Sequence, residues 1–305
     1  MKYLFLSTAV AILTLTSALS AASVPTAGTF DGKITSIAPG MALVSVAVTD
    51  FPGLPPLRVV NAGLQAQLVP AQPGDEIHFQ ADDATNPKTI IGVTYLARPV
   101  PTLKTLGALA GSLVIILLII ALMTRGNNPF IGLDNRISNS QAQMGLWFSA
   151  VAVVYLSANI LRGFLLGGDY IGGVSLPTNL IVLTGLSAFT FGAARAITTQ
   201  KAGAAANAPT DAAVPKPLAV NPNPPSVSDL VQNDNKTTDL GDIQMILVTL
   251  AAVAIFICQS FWYLTSLPIS KSVILPDVDS ALLATFGLGQ GAYLFKKAAS
   301  PFGAG

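Results

Sequence analysis

The sequence predicts a multi-domain membrane protein, in which a small all-β domain precedes an α-helical transmembrane bundle with a duplicated two-helix hairpin. Three observations carry this. First, 51% of the 305 residues are hydrophobic and only 10% are charged, against about 25% charge in a soluble domain, and mean hydropathy is +0.61. A large share of the chain therefore faces lipid. Second, residues 24–100 break into short runs rich in Val, Ile and Thr. Third, two stretches echo each other: LPTNLIVLTGLSAFTFGAARAIT from Leu176 and LPDVDSALLATFGLGQGAYLFKKAAS from Leu275.

Residues 1–22 hold Lys2, an apolar run and small residues near Ser20 to Ala22, the pattern of a secretory signal peptide. The β domain, 23–100, follows. FDGKITSI, MALVSVAVTD, LRVV, GDEIHFQA and TIIGVTYLA are separated by Pro39-Gly40, Pro52-Gly53, Pro73-Gly74 and Asn86-Pro87. Short strands with such punctuation form a sandwich or an OB-like barrel.

Five spans are expected. The first, in 105–125, includes Leu106 to Thr124, whose nineteen residues at 1.5 Å each cover roughly 28 Å of the hydrocarbon core. The first hairpin, 140–198, carries spans near Met144–Leu161 and Leu180–Ala196. The second, 241–298, carries spans near Ile243–Leu264 and Ser280–Phe295, the last short and Gly-rich. Gln143-Met144 matches Gln244-Met245, and Gly185 matches Gly287. Two copies with the same orientation relate by an axis along the membrane normal. Between them, 199–240 is rich in Ala, Pro and Asn, the composition of a disordered linker.

The signal segment places 23–100 extracytoplasmic and the C-terminus cytoplasmic. Arg125, Arg136, Arg195, Lys201, Lys236, Lys296 and Lys297 then lie inside, against Arg98, Lys104, Arg162 and Lys271 outside, in keeping with the positive-inside rule. The location is a bacterial inner membrane, and the bilayer is the first partner.

Chemistry is sparse. The chain has one His (His78), one Glu (Glu76) and one Cys (Cys258), which excludes an intrachain disulfide and any multi-Cys metal site. Glu76 and His78 share a strand face, where a solvated polar surface is the commoner arrangement and a metal or acid–base pair the rarer one. No HExxH or GxSxG motif occurs. The expectation is a protein that is not an enzyme, with no cofactor, and a net charge of +1 gives no hint of nucleic acid. No span carries a charge at its centre. Gln290 is the deepest polar group, placed to bond across helices or to line a pore. Gly287 and Gly291 are four apart, the spacing that lets helices approach closely, as are Gly107 with Gly111 and Ala188 with Gly192.

In GLDNRISNSQAQMGLW, Ser140 and Gln143 fit a capping box and Trp147 an interfacial anchor. Asp134 and Arg136 are candidate cytoplasmic docking residues. This entry (Asp134, Arg136, Ser138, Ser140, Gln143, Trp147), followed by Leu176-Pro177, Gly185-Leu186-Ser187 and Arg195, resembles a hairpin of an uncharacterised bacterial membrane protein family. The resemblance covers roughly 130–200 and, more faintly, 240–300, and implies no activity. The second copy lacks Asp-x-Arg before Gln244 and has Gly289 in place of Ser. The function expected is structural or interactive: an integral protein, as a homo-oligomer or with a membrane protein partner, using the outer β domain as its contact module. The alternative is a channel or permeation component formed by the two hairpins.

Overall fold

The computed structural model describes residues 26–49, 51–125, 128–132, 135–206, 224–232 and 237–299. The signal segment 1–22 and Asp134 lie outside these.

Five strands build the β domain: β1 (Gly28–Ile37), β2 (Leu43–Val48), β3 (Leu57–Val59), β4 (Glu76–Ala81) and β5 (Thr89–Pro99). Alternation sets the inner face, with Val44, Val46 and Val48 of β2 and Ile77, Phe79 and Ala81 of β4 all buried. The strands run β3-β2-β1-β4-β5, antiparallel throughout, and a short parallel pairing of β3 with β5 (Arg58 with Thr89, Val59 with Ile90) closes the ring. Between β3 and β4 lies a helix that the strand reading missed, α1 (Ala62–Leu68). Asn61 caps it by accepting from Gly63 N at 2.7 Å, and Leu64 and Leu68, one turn apart, bury its inner face.

The remaining helices are α2 (Thr102–Met123), α3 (Asn139–Leu165), α4 (Thr178–Ala206), α5 (Leu240–Thr265) and α6 (Ser280–Ala299). Among the described residues four of them, α2 to α5, are long and apolar enough to cross a membrane, so this is a membrane protein. α6 falls short because its glycines and terminal lysines dilute its apolar content, although it packs along α4 and α5. α2 sits at the edge, mostly exposed, and meets α3 through Thr105, Ala108 and Ser112. Ser157 of α3 lies 2.9 Å from Ser112 Oγ and 3.2 Å from the Ala108 carbonyl. Gly107 and Gly111 face away from this contact, and nothing approaches within 4 Å of where their Cβ atoms would be.

α3 lies beside α5 and α4 beside α6. α4 and α6 stay adjacent from Leu180, whose N–H donates to Asp277, down to Lys201, whose Nζ donates to the Lys297 carbonyl. The two consecutive hairpins, α3–α4 and α5–α6, therefore lie side by side, an arrangement other than the expected two-fold about the membrane normal. Their connecting loops pair as two short parallel strands, β6 (Val174–Ser175) and β8 (Val273–Ile274), Val174 opposite Val273 and Ser175 opposite Ile274.

That pairing needs a residue without a side chain at Gly173. A Cβ there would sit 1.7 Å from the Lys271 carbonyl oxygen. Gly173→Ala is expected to cost about 1–3 kcal/mol, in the manner of an overpacked core. The check is chemical unfolding in micelles, and an unchanged midpoint would count against the loop pairing.

The stretch 199–240, read from sequence as a linker, holds the last turns of α4 and a 3-10 helix over Val227–Val231. Residues 207–223 and 233–236 lie outside the described residues.

Candidate functional site

Three polar assemblies inside the fold concentrate its unusual chemistry. The first joins the barrel to the bundle. Strand β7 (Ser266–Pro268), directly after α5, adds antiparallel to β5, with Ala97 opposite Pro268 and Pro99 opposite Ser266. Tyr95 donates its hydroxyl to the Ser266 carbonyl at 2.9 Å, and Ile269 N donates to Leu96 O at 2.8 Å. Ile269 is buried in the barrel core, and Leu166 from the end of α3 packs against the same core. Arg98 completes the joint. Its Nε and Nη2 reach both oxygens of the buried Asp75 at 3.0 and 2.9 Å, Nη1 donates to Leu165 O at 2.7 Å, and Nη2 to Pro70 O at 2.9 Å.

Arg162 is fully buried, at 0% exposure, one turn before the end of α3. Its guanidinium donates to four backbone carbonyls: Tyr170 (3.0 Å), Ser270 (2.7 Å), Lys271 (3.0 Å) and Pro268 (3.4 Å). It also lies over the Tyr170 ring, 5.7 Å from the centroid. One side chain therefore ties together the loops of both helix pairs. The oxygens of a chain turning without ladder partners must be satisfied somewhere, and a planar five-donor fork does this for several at once.

The second assembly is a row of amides on one face of α3. Asn139, Gln143 and Trp147 follow at helical spacing and are all buried. Gln290 of α6 donates from Nε2 to Gln143 Oε1 at 2.7 Å, and Gln143 donates to Asn139 Oδ1 at 3.0 Å. Gln290 is thus the interhelical bond that its depth suggested. Trp147 is not an interfacial anchor. It packs at 0% exposure between Phe256 and Phe286, because its helix face points at α5 and α6. The capping box also differs: Gln143 is spent on this row, and α3 begins at Asn139 with Ser138 as a cap whose side chain meets Ser140 Oγ at 3.2 Å and makes no capping bond to the helix backbone. Of the two glycines, Gly287 approaches α4, its Cβ position 3.8 Å from Leu186, whereas Gly291 is exposed with nothing within 4 Å. Gly291 is therefore not a packing residue within the chain.

The third assembly lies at the bundle end away from the barrel. Arg136 Nε is 3.7 Å from the buried Asp229 carboxylate, and its Nη2 donates to Gln232 O at 2.8 Å. The residue read as a docking point thus holds the chain's own 3-10 segment. Lys296 pairs with Asp239, the cap of α5, and lies 4.0 Å from Asp242. The Lys296 hydrogen bond, aided by the N–H groups of Asp242 and Gly241, holds the Asp239 carboxyl below its usual value of 3.8 against the upward pull of burial. The pair's contribution is complete above that value and is lost as pH falls through the lowered one. Asp239→Asn is expected to lower the unfolding midpoint at pH 7, with the gap from the unsubstituted protein closing below about pH 4, the upper limit set by the free-carboxyl value. Unfolding midpoints of both forms across acid pH check this.

Glu76 and His78 do not act as a pair. His78 bonds Asp31 across β1 and β4, and Glu76 accepts from Ser266 Oγ at 3.1 Å. Among the described residues no group of three or more His, Cys, Asp or Glu side chains is placed to hold a metal. A shallow recess of about 460 Å³ on the barrel is lined by Pro55, Pro56, Arg58, Asp82, Lys88 and Thr89. Burial pulls the Asp82 carboxyl up, but the N–H groups of Lys88 and Thr89 outweigh it and keep the value below normal.

Sequence reading missed Arg98 and Arg162 as anything but charges, and it missed Ser112 with Ser157. The signal available was modest: a cation within two turns of a helix end and a small polar residue at the same depth on two spans. No protein-family model, curated protein or solved structure matches the chain.

Proposed function

We propose that this is an oligomeric structural and interaction protein of a bacterial inner membrane, not an enzyme, with an extracytoplasmic OB-like barrel as its contact module and a cytoplasmic C-terminus. One observation carries the reading: the barrel is locked to the bundle by β7, by Ile269 and Leu166 in its core, and by Arg98. A domain fixed in this way presents its surface at one orientation, which suits a docking partner or a second copy. The ring order with its parallel β3–β5 closure and the helix between β3 and β4 support the OB-like assignment. The offset of 99 residues between paired Val174 and Val273 equals that between Pro177 and Pro276, which supports a duplicated hairpin. Packing of Trp147, Phe256 and Phe286 favours a filled interior.

The permeation reading is kept alive by one observation. Gln290 Oε1 and Asn139 Nδ2 are buried without a hydrogen-bond partner, and such groups line polar paths more readily than packed cores. Two measurements separate the readings. Photo-crosslinkers at Thr29, Gln80 and Thr94, on the barrel's exposed face, should give one discrete adduct in intact cells under the contact reading. Absence of any adduct above background from all three would sink it. Liposome flux should be absent for the unsubstituted protein and for Gln290→Leu; flux that changes with this substitution would install the pore instead.

A further inference from the structure

The barrel joins the membrane-spanning helices without a linker. β5 ends at Pro99 and α2 begins at Thr102, while α5 ends at Thr265 and β7 begins at Ser266. Val100 N donates to the Thr265 carbonyl at 2.8 Å, which brings the two crossings to one level. The hydrocarbon boundary lies close to that level. α2 exposes large apolar side chains from Leu103 (82%) to Met123 (83%), a rise of roughly 30 Å, and a hydrocarbon core is about 30 Å thick. Trp262, 71% exposed and less than one turn before Thr265, is an aromatic of the kind found at that boundary. Headgroups extend about 5–8 Å beyond the core on each side, so the bundle-side end of the barrel stands among them.

Arg98 shows which part of the barrel lies at that end. Its one guanidinium holds both the Pro70 carbonyl and the Leu165 carbonyl at the end of α3. The end of α1 and the loop after it therefore lie beside the end of a span. Leu68 and Ala71 turn into the barrel core there, whereas Val69 between them is exposed. Composition sets this region apart as well. From Val59 to Gly74 the chain has no Asp, Glu, Lys or Arg, although Ala62, Gly63, Ala66, Gln67, Gln72 and Pro73 are exposed. A helix facing water usually carries charge on its outer face. An uncharged surface with a large apolar side chain at its tip suits a bilayer surface, where burying apolar area is favourable without an ion pair.

We propose that the end of α1 is a lipid-contact site, with Val69 resting in the headgroup layer of the leaflet on the barrel side. The partner is the bilayer surface itself, continuous with the lipid already touching the spans. Because the contact carries no charge, zwitterionic lipid is sufficient for it. The membrane then steadies the barrel from below, beside the hold of β7 and Arg98. The inference rests on α2 to α5 spanning the membrane and stands whether the protein is a scaffold or a pore.

The test uses the full chain in phosphatidylcholine nanodiscs, with Cys258→Ser and a single fluorophore placed through Val69→Cys or, as the reference, Asn86→Cys. Asn86 is exposed in the β4–β5 turn, at the far end of a strand of 11 residues, roughly 33 Å long at about 3.3 Å per residue. The emission at 69 should be quenched by lipids carrying a nitroxide on the headgroup and shielded from iodide in the water. The emission at 86 should show the reverse. Adding phosphatidylglycerol should leave both unchanged. A probe at 69 that iodide reaches as freely as at 86 overturns the proposal. So does one shielded from iodide and from the nitroxide lipid alike, since protein would then cover the site. Should the labelled form not fold, the unsubstituted protein is footprinted with a headgroup-level diazirine lipid. Modification within residues 62–72 and not within 83–88 is the expected result, and the absence of modification from 62–72 overturns the proposal.

Discussion

Arg98→Met is expected to destabilise the protein by about 3–5 kcal/mol, because it strands a buried carboxylate. Asp75 is 2% exposed and gives both oxygens to Arg98. One of those oxygens also accepts from Gln72 N at 2.7 Å, which offsets only part of the charge. The same substitution removes the donor to Leu165 O, a side-chain bond from the barrel to the end of α3. Two consequences are separable. Adding Asp75→Asn to Arg98→Met should recover a good part of the stability, since the stranded charge is gone, but should leave the joint to α3 broken. Amide exchange in the barrel and in residues 165–172, followed separately, checks this. Unchanged exchange at 165–172 in the double variant would show that Arg98 serves the barrel alone.

The second large effect is at Arg162. Arg162→Leu leaves the Tyr170, Ser270 and Lys271 carbonyls without their shared donor. At about 1–3 kcal/mol for each buried group left unsatisfied, and with some groups turning outward to water, a loss of about 3 kcal/mol is expected. Lys places a charge at the same site with three donors but no planar fork, so Arg162→Lys should rescue only part. Faster amide exchange at Val273 and Leu275, whose N–H groups bond Gly173 O and Ser175 O, is the specific sign. A purely global loss, with no preference for these amides, would count against Arg162 as the organiser of the loops.

The legible parts of the fold are those set by local pattern. Period-two alternation located all five barrel strands, and the length of the apolar runs located α2 to α5. Gln290 stood out because an amide deep in an apolar helix demands a partner. The illegible parts depend on residues far apart in the chain. Arg98 and Arg162 read as loop charges because their partners are backbone carbonyls, which every residue carries, and Arg162 meets Ser270 across 108 positions. β7 is three residues long, too short for alternation to speak. Trp147 misled because a tryptophan near the end of a span fits an interface as well as a core, and only the neighbouring Phe256 and Phe286 decide. Gly111 drew attention that belonged to Ser112: on a helix surface one residue is a rotation of about 100°, and spacing alone does not say which row faces the neighbour.

The strand order of the barrel sets a timetable for making this protein. Its five own strands are complete by Pro99, yet Ile269, which fills its core, and β7, which covers β5, are synthesised some 170 residues later. At a ribosomal pace of about 5–20 residues per second, the nascent barrel waits many seconds with an apolar gap and a bare strand edge. It is finished only when α5 has been threaded into place. A chain truncated or stalled before that point carries an exposed sticky edge, so the last helices act as the inspection stamp on the first domain.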